Sequence, residues 1–249
     1  MALSSHHAFE VFVAIHIITG APGLVGFWIP VATKKASPLH RRAGRLFIWL
    51  MLATACSAVI LSCLSIAAPV ETHPHLVGHP QFGDAETIRG IFGWMMLYLA
   101  ILTINLAWYG RLAIRNRLDH AKNSAWHNVA LQGILLMASA NCAVRGFLVG
   151  QPMMVGISLV GFATVGTNLW FMWRKPGPVD WIREHIKALI GTGISVYTAF
   201  FAFGAVRLVP ELALAPVLWA VPLIVGLWLI IHHRAKVAAP FKRRKMAAE

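Results

Sequence analysis

The chain has 249 residues, of which 58% are hydrophobic and only 12% charged, with a formal net charge of +13. Soluble domains carry about 25% charged residues, so this set cannot cover a water-facing surface of ordinary polarity. Nor does the positive balance point to nucleic acid, because it comes without a nucleic-acid motif or an array of stacking aromatics.

Charged and proline-rich breaks leave apolar runs near residues 8–31, 45–68, 88–110, 126–148, 152–173, 185–207 and 213–233. Each approaches the roughly 20 residues with which a helix crosses about 30 Å of hydrocarbon. Lipid offers no partner to an open backbone N–H or C=O, so runs of this length read as helices. The expectation is an all-α, polytopic seven-helix transmembrane bundle, a single domain over residues 1–235, with a basic tail over 236–249. The first run is too long, and too poor in preceding basic residues, for a cleaved signal peptide. Cys56, Cys63 and Cys142 all fall inside predicted helices, which reads as apolar packing rather than a disulfide framework or CxxC metal pair.

The distribution of Lys and Arg orients these spans. The segments before residue 8 and over 68–89, 145–152 and 207–213 contain only Arg89, Arg145 and Arg207, which leaves 19 of the 22 on the alternate side. By the positive-inside rule the N-terminus is outside and the C-terminus cytoplasmic, in a multi-pass protein of the inner (cytoplasmic) membrane. The tail residues Lys236, Lys242, Arg243, Arg244 and Lys245 suit anionic membrane lipid, where each nearby basic side chain contributes about 1 kcal/mol. A membrane-protein partner or a homo-oligomer is the other expected association.

An internal repeat runs through the middle of the chain. Asn105-Leu106 is followed by Arg111 and Asn168-Leu169 by Arg174, giving N-L-x4-R twice. His127 and His185 each open H-x2-A-L-x-G, and A-V-R ends at both Arg145 and Arg207. Helices 3–4 and 5–6 therefore read as parallel copies of one hairpin, the kind of repeat related by an axis along the membrane normal. The first hairpin is a fainter third copy, entered through H-R-R-A-G at His40, and the last helix is an addition.

The repeat sets His40, His127 and His185 at the cytoplasmic starts of helices 2, 4 and 6. Neutral imidazole is the commonest metal ligand. Three with an open position suit a transition metal, and two across a cavity suit the axial positions of haem. The competing reading is three amphipathic rings in the headgroup layer. Gly44, Gly133 and Gly191 follow within about two turns, and Gly20 and Gly23 follow His16, either opening a slot for a flat macrocycle or letting helices approach. His16 lies well inside its helix, which makes it either a functional residue or a neutral side chain bonded to a neighbouring helix. Asn105, Gln132, Asn141 and Asn168 form a polar layer of amides that must pair within lipid, as helix glue or as the lining of a cavity. The outer Arg89, Arg145 and Arg207 have Glu10, Asp84, Glu86 and Glu211 available as partners. His73, His75 and His79, near His6 and His7, are compositional candidates for external metal capture.

The stretch from His16 through Gly20 to the H-R-x2-G-R signature, His40, Arg41, Gly44 and Arg45, resembles an uncharacterised bacterial membrane family catalogued as domain of unknown function 2306. The segment from His127 to Arg145 is similar to that family's second histidine-to-arginine segment. A fainter resemblance is to the cytochrome b561 group, and it implies haem b and electron transfer, with His16, His40, His127 and His185 as the matching positions.

The leading expectation is a redox or metal-cofactor membrane protein built on those histidines. Its alternatives are a small-molecule binding or transport protein using the repeat interface, and a structural subunit of a larger assembly. HxxxH is matched once, at His75 and His79, not as the several HxxxH and HxxHH clusters of membrane di-iron enzymes, and GxSxG, HExxH and Walker sequences do not occur, so enzyme status stays open.

Overall fold

The computed structural model describes residues 5–79, 82, 84–174, 177–204 and 215–246. All regular structure among them is helical, and six helices are long and apolar enough to cross a membrane. The chain divides into two compact units, residues 1–104 with 133–166, and residues 105–132 with 167–249.

The first unit opens with α1 (Ser5–Ala32) and α2 (Pro38–Ala67). Ser37 caps α2 by accepting the His40 N–H at 3.2 Å, and Pro38 occupies the first turn, where its missing N–H costs nothing. The two helices approach closely through glycine: a Cβ on Gly23 would lie 2.0 Å from Cε of Met51, and one on Gly20 3.2 Å from Thr54. After the one-turn α3 (Pro69–Thr72) and a 3-10 turn over Pro74–Leu76, α4 (Ala85–Ile88) leads through a π-helical stretch, Arg89–Met95, into α5 (Met96–Asn116). Together these make one 32-residue helix, Ala85–Asn116. Residues 133–148 of α7 (Trp126–Leu148) and 152–166 of α8 (Pro152–Trp173) complete the unit. Tyr98 crosses its core to donate to the Ile157 carbonyl at 2.7 Å.

The second unit holds the rest of α5, α7 and α8, with the short α6 (His120–Asn123), α9 (Asp180–Ala199) and α10 (Pro216–Met246). A second π-helical turn, Phe200–Gly204, extends α9. Gly226 of α10 lies against α9 so closely that a Cβ there would fall 2.1 Å from Ile194.

Spans 126–148 and 152–173 coincide with α7 and α8. Elsewhere the helices run beyond the apolar runs. Capping by Ser37 starts α2 seven residues early, and α10 continues through the basic segment as far as Met246. The sixth run, expected at 185–207, begins at Asp180, whose carboxylate gathers Arg174, Arg183 and the Gly177 N–H at 2.9–3.2 Å. With Arg183, Glu184 and Lys187 in its first turns, α9 is not one of the six span-like helices. Residues 205–214, including Arg207, lie outside the described residues.

Candidate functional site

Polar side chains converge inside the second unit, on helices that are otherwise apolar. Three of the four expected amides meet there. Asn168 donates through Nδ2 to Oδ1 of Asn105 at 3.3 Å and to Oε1 of Gln132 at 3.1 Å, while Asn105 donates to the Leu131 carbonyl at 3.3 Å. All three are almost fully buried. Asn141 is only half-buried and belongs to the other unit.

The amides join an ion pair. Lys187 donates to Glu184 at 2.5 Å, to Oδ1 of Asn168 at 3.0 Å and to the Thr167 hydroxyl at 3.1 Å, which engages all three of its N–H groups. The Tyr109 hydroxyl donates to the same Glu184 oxygen at 3.0 Å, and the Lys187 ammonium lies 5.4 Å from the Tyr109 ring centroid. The side chains of Lys187 and Glu184 are 15% and 8% exposed. Removing two opposite charges from water is costly unless each is paired and further hydrogen-bonded, and here both are. Arg234 of α10 adds a second positive charge acting on Lys187. The result is a continuous chain of donors and acceptors from α5 through α9 to α8 and α7. Chemically it can hold charge, exchange one polar partner for another, and lock four helices together.

Sequence reasoning missed Lys187, Glu184 and Tyr109. The available signal was E-x-x-K, two opposite charges one helical turn apart that straddle the start of the apolar run read at 185–207.

Of the candidate ligand histidines, His16 and His40 belong to the first unit and His127 and His185 to the second. His16 places Nδ1 3.1 Å from the Thr54 carbonyl and 3.2 Å from the Ser57 hydroxyl. His40 places Nδ1 3.0 Å from the Pro30 carbonyl at the end of α1, where Lys35 also donates at 2.8 Å. In the second unit, His185 places Nδ1 2.9 Å from the Gly110 carbonyl. His127 is exposed, its ring edge-on to Trp126 at 5.9 Å. Among the described residues no three His, Cys, Asp or Glu side chains group as a metal site requires. Gly20 and Gly23 are filled by α2 and Gly191 by Leu106, whereas Gly44 and Gly133 face open space.

In the first unit, Arg89 pairs with Glu86 and donates to the Ile66 carbonyl at 3.0 Å. Arg145 lies over the Trp94 ring at 5.1 Å. His73 is buried between Phe9 and Phe92, with ring centroids at 5.0 and 4.6 Å, and its Nδ1 is 3.0 Å from the Thr72 hydroxyl. The His75 ring is 6.0 Å from that of His73, and His79 packs on Phe82 at 5.1 Å. No family model, curated protein or solved structure matches the chain.

Proposed function

We propose that this is a multi-pass protein of the cytoplasmic membrane, crossing it seven times with the N-terminus outside, which binds or carries a small polar solute at the network around Lys187. The observation that carries this reading is the buried Lys187–Glu184 pair, tied to Asn168 and Tyr109 within helices of apolar composition. An ionisable pair at membrane depth is functional by default, since two apolar side chains would fill the space at less desolvation cost. Mutual neutralisation of Glu184 and Lys187 also makes α9 acceptable as the seventh span. The parallel repeat supports the same reading, because such repeats commonly frame a binding site.

The test is ligand-dependent stabilisation of the full chain in mild detergent, screened with carboxylates, amines, amino acids and sugars. A ligand present at 100 times its Kd stabilises the folded state by roughly 2.7 kcal/mol. One class should raise the melting temperature of the wild type and leave Lys187→Met unmoved. A panel without effect rejects the reading. Reporter fusions after Gly177 and after Pro210 should report opposite sides of the membrane, and fusions on one side would reject the seven-span topology.

One observation favours a second reading, redox or metal-cofactor binding. His16, His40 and His185 each set Nδ1 against a backbone carbonyl, the contact that orients a metal-ligating imidazole. The likeness to domain of unknown function 2306 and to the cytochrome b561 group belongs to this reading, as similarity of short motifs. An absorption spectrum without haem bands and a metal analysis without stoichiometric metal would end it.

A further inference from the structure

At the Lys187 network positive charge outnumbers negative. Gly226 of α10 and Ile194 of α9 mark the level at which these two helices touch. Lys187 lies seven residues before Ile194, and Arg234 lies eight beyond Gly226, spacings that return to the same side of a helix. At 1.5 Å per residue the two displacements are about 10.5 and 12 Å. The charge of Arg234 acts on Lys187. In a parallel pair the displacements would add and separate the two charges, whereas in an antiparallel pair they match. Arg234 therefore stands level with Lys187 on the neighbouring helix.

Glu184 cannot neutralise both cations. Its carboxylate accepts from Lys187 and from the Tyr109 hydroxyl, and its side chain is 8% exposed. The other described carboxylates of the unit are committed as well, Asp119 to Lys122 and Asp180 to both Arg174 and Arg183. Arg234 is half-buried and makes no hydrogen bond or ion pair among the described residues. Two cations against one anion leave a single positive charge without a counter-ion, in a setting where an unpaired charge is costly. All three N–H groups of Lys187 are engaged, so the open donors are those of the guanidinium. Its planar fork matches a carboxylate.

We propose that the solute of the Lys187 network is a small monocarboxylate, held by the Arg234 guanidinium and balancing the surplus charge of the site. The proposal rests on the reading of that network as a solute site and chooses among the classes open to it. An amine would add to the positive excess. A sugar or a zwitterionic amino acid would leave it unbalanced, and a dicarboxylate would exceed it by one charge.

The test uses the full chain in mild detergent, with lactate, propionate, succinate, propylamine, glycine and glucose compared at equal ionic strength by thermal melting and calorimetric titration. Lactate or propionate should raise the melting temperature, and the other four should not. Arg234→Gln should weaken that binding by about ten- to a hundred-fold, as loss of a charge-assisted hydrogen bond does. Arg234→Lys, which keeps the charge without the fork, should fall between the two. Stabilisation by propylamine, glycine or glucose instead would overturn the monocarboxylate while leaving a solute site of another class. No effect from any of the six would overturn the solute site with it. An unchanged affinity in Arg234→Gln with native helicity would remove Arg234 from the site and overturn the proposal. So would displacement of lactate by phosphatidylglycerol at lower concentration, which would assign the guanidinium to a lipid headgroup.

Discussion

Asn168 donates its Nδ2 hydrogen bond to Oδ1 of Asn105 at 3.3 Å, and the two residues hold the same place in the two copies of N-L-x4-R. The contact therefore joins the same position of the two short motifs. It also makes the pair testable by a double-mutant cycle. Coupling between polar side chains inside membrane proteins averages about 0.6 kcal/mol with a maximum near 1.7 kcal/mol. Asn105→Ala, Asn168→Ala and the double variant, unfolded reversibly in mixed micelles, should show coupling in that range. The single Asn168 variant should cost more than the Asn105 variant, because Asn168 also holds Gln132 and Lys187. Strict additivity would remove the pair from the account.

The Lys187–Glu184 pair predicts an asymmetry between breaking and replacing. Removing one partner of a buried ion pair costs about 3–5 kcal/mol, whereas apolar replacement of both is often neutral or stabilising. Lys187→Met and Glu184→Leu should each destabilise strongly, and the double variant should recover most of the loss. If the double variant is as stable as wild type and yet loses ligand-dependent stabilisation, the pair serves function rather than folding. Equal and additive losses would argue against a coupled pair.

How far the sequence carried differs between elements for physical reasons. The turn residues flanking α7 and α8 are breakers, so those boundaries were legible, and burial obliged the amides Asn105, Gln132 and Asn168 to pair. The charged half of the site was not. In the repeat, Lys187 and Glu184 stand where the first copy has Val129 and Trp126, and Ile190 stands where it has Gln132. Similarity of motif therefore hid a difference of chemistry. The same limit applies to the histidines: His185 reaches the Gly110 carbonyl while its counterpart His127 is exposed, because an identical residue at a helix start takes its environment from neighbouring helices. The π-helical stretches at Arg89–Met95 and Phe200–Gly204 leave no mark in hydropathy and could not be read at all.

Glycine substitutions separate close packing from open space. A Cβ on Gly161 would lie 2.1 Å from the Ser139 hydroxyl and 2.8 Å from the Tyr98 ring, both in the core of the first unit. Gly161→Ala should therefore destabilise by about 1–3 kcal/mol, the range for overpacking. Gly44 and Gly133 meet nothing within 4 Å. There alanine should be neutral, or stabilising by up to about 1 kcal/mol through helix propensity. Thermal unfolding of the three variants checks the contrast, and a destabilised Gly133→Ala would mean that an unseen group occupies its open face.

The Asp84 cap supplies a pH-dependent signature outside the spans. The Thr87 hydroxyl, donating at 2.6 Å, and then the Thr87 N–H, donating at 2.8 Å, hold the Asp84 carboxyl below its ordinary value. Because the folded-state value is depressed, the cap's contribution is complete above the unfolded value of about 3.9. It is lost as pH falls through the lower, folded value. Asp84→Ala should cost about 1 kcal/mol at neutral pH, as N-cap removal does, and the gap to wild type should close below about pH 4. Asp84→Asn keeps an acceptor for the helix N-terminus without the charge, so its smaller deficit should show a flatter pH profile. A deficit for Asp84→Ala that stayed constant from neutral to acid pH would mean that the side chain acts through packing rather than through its ionised oxygens.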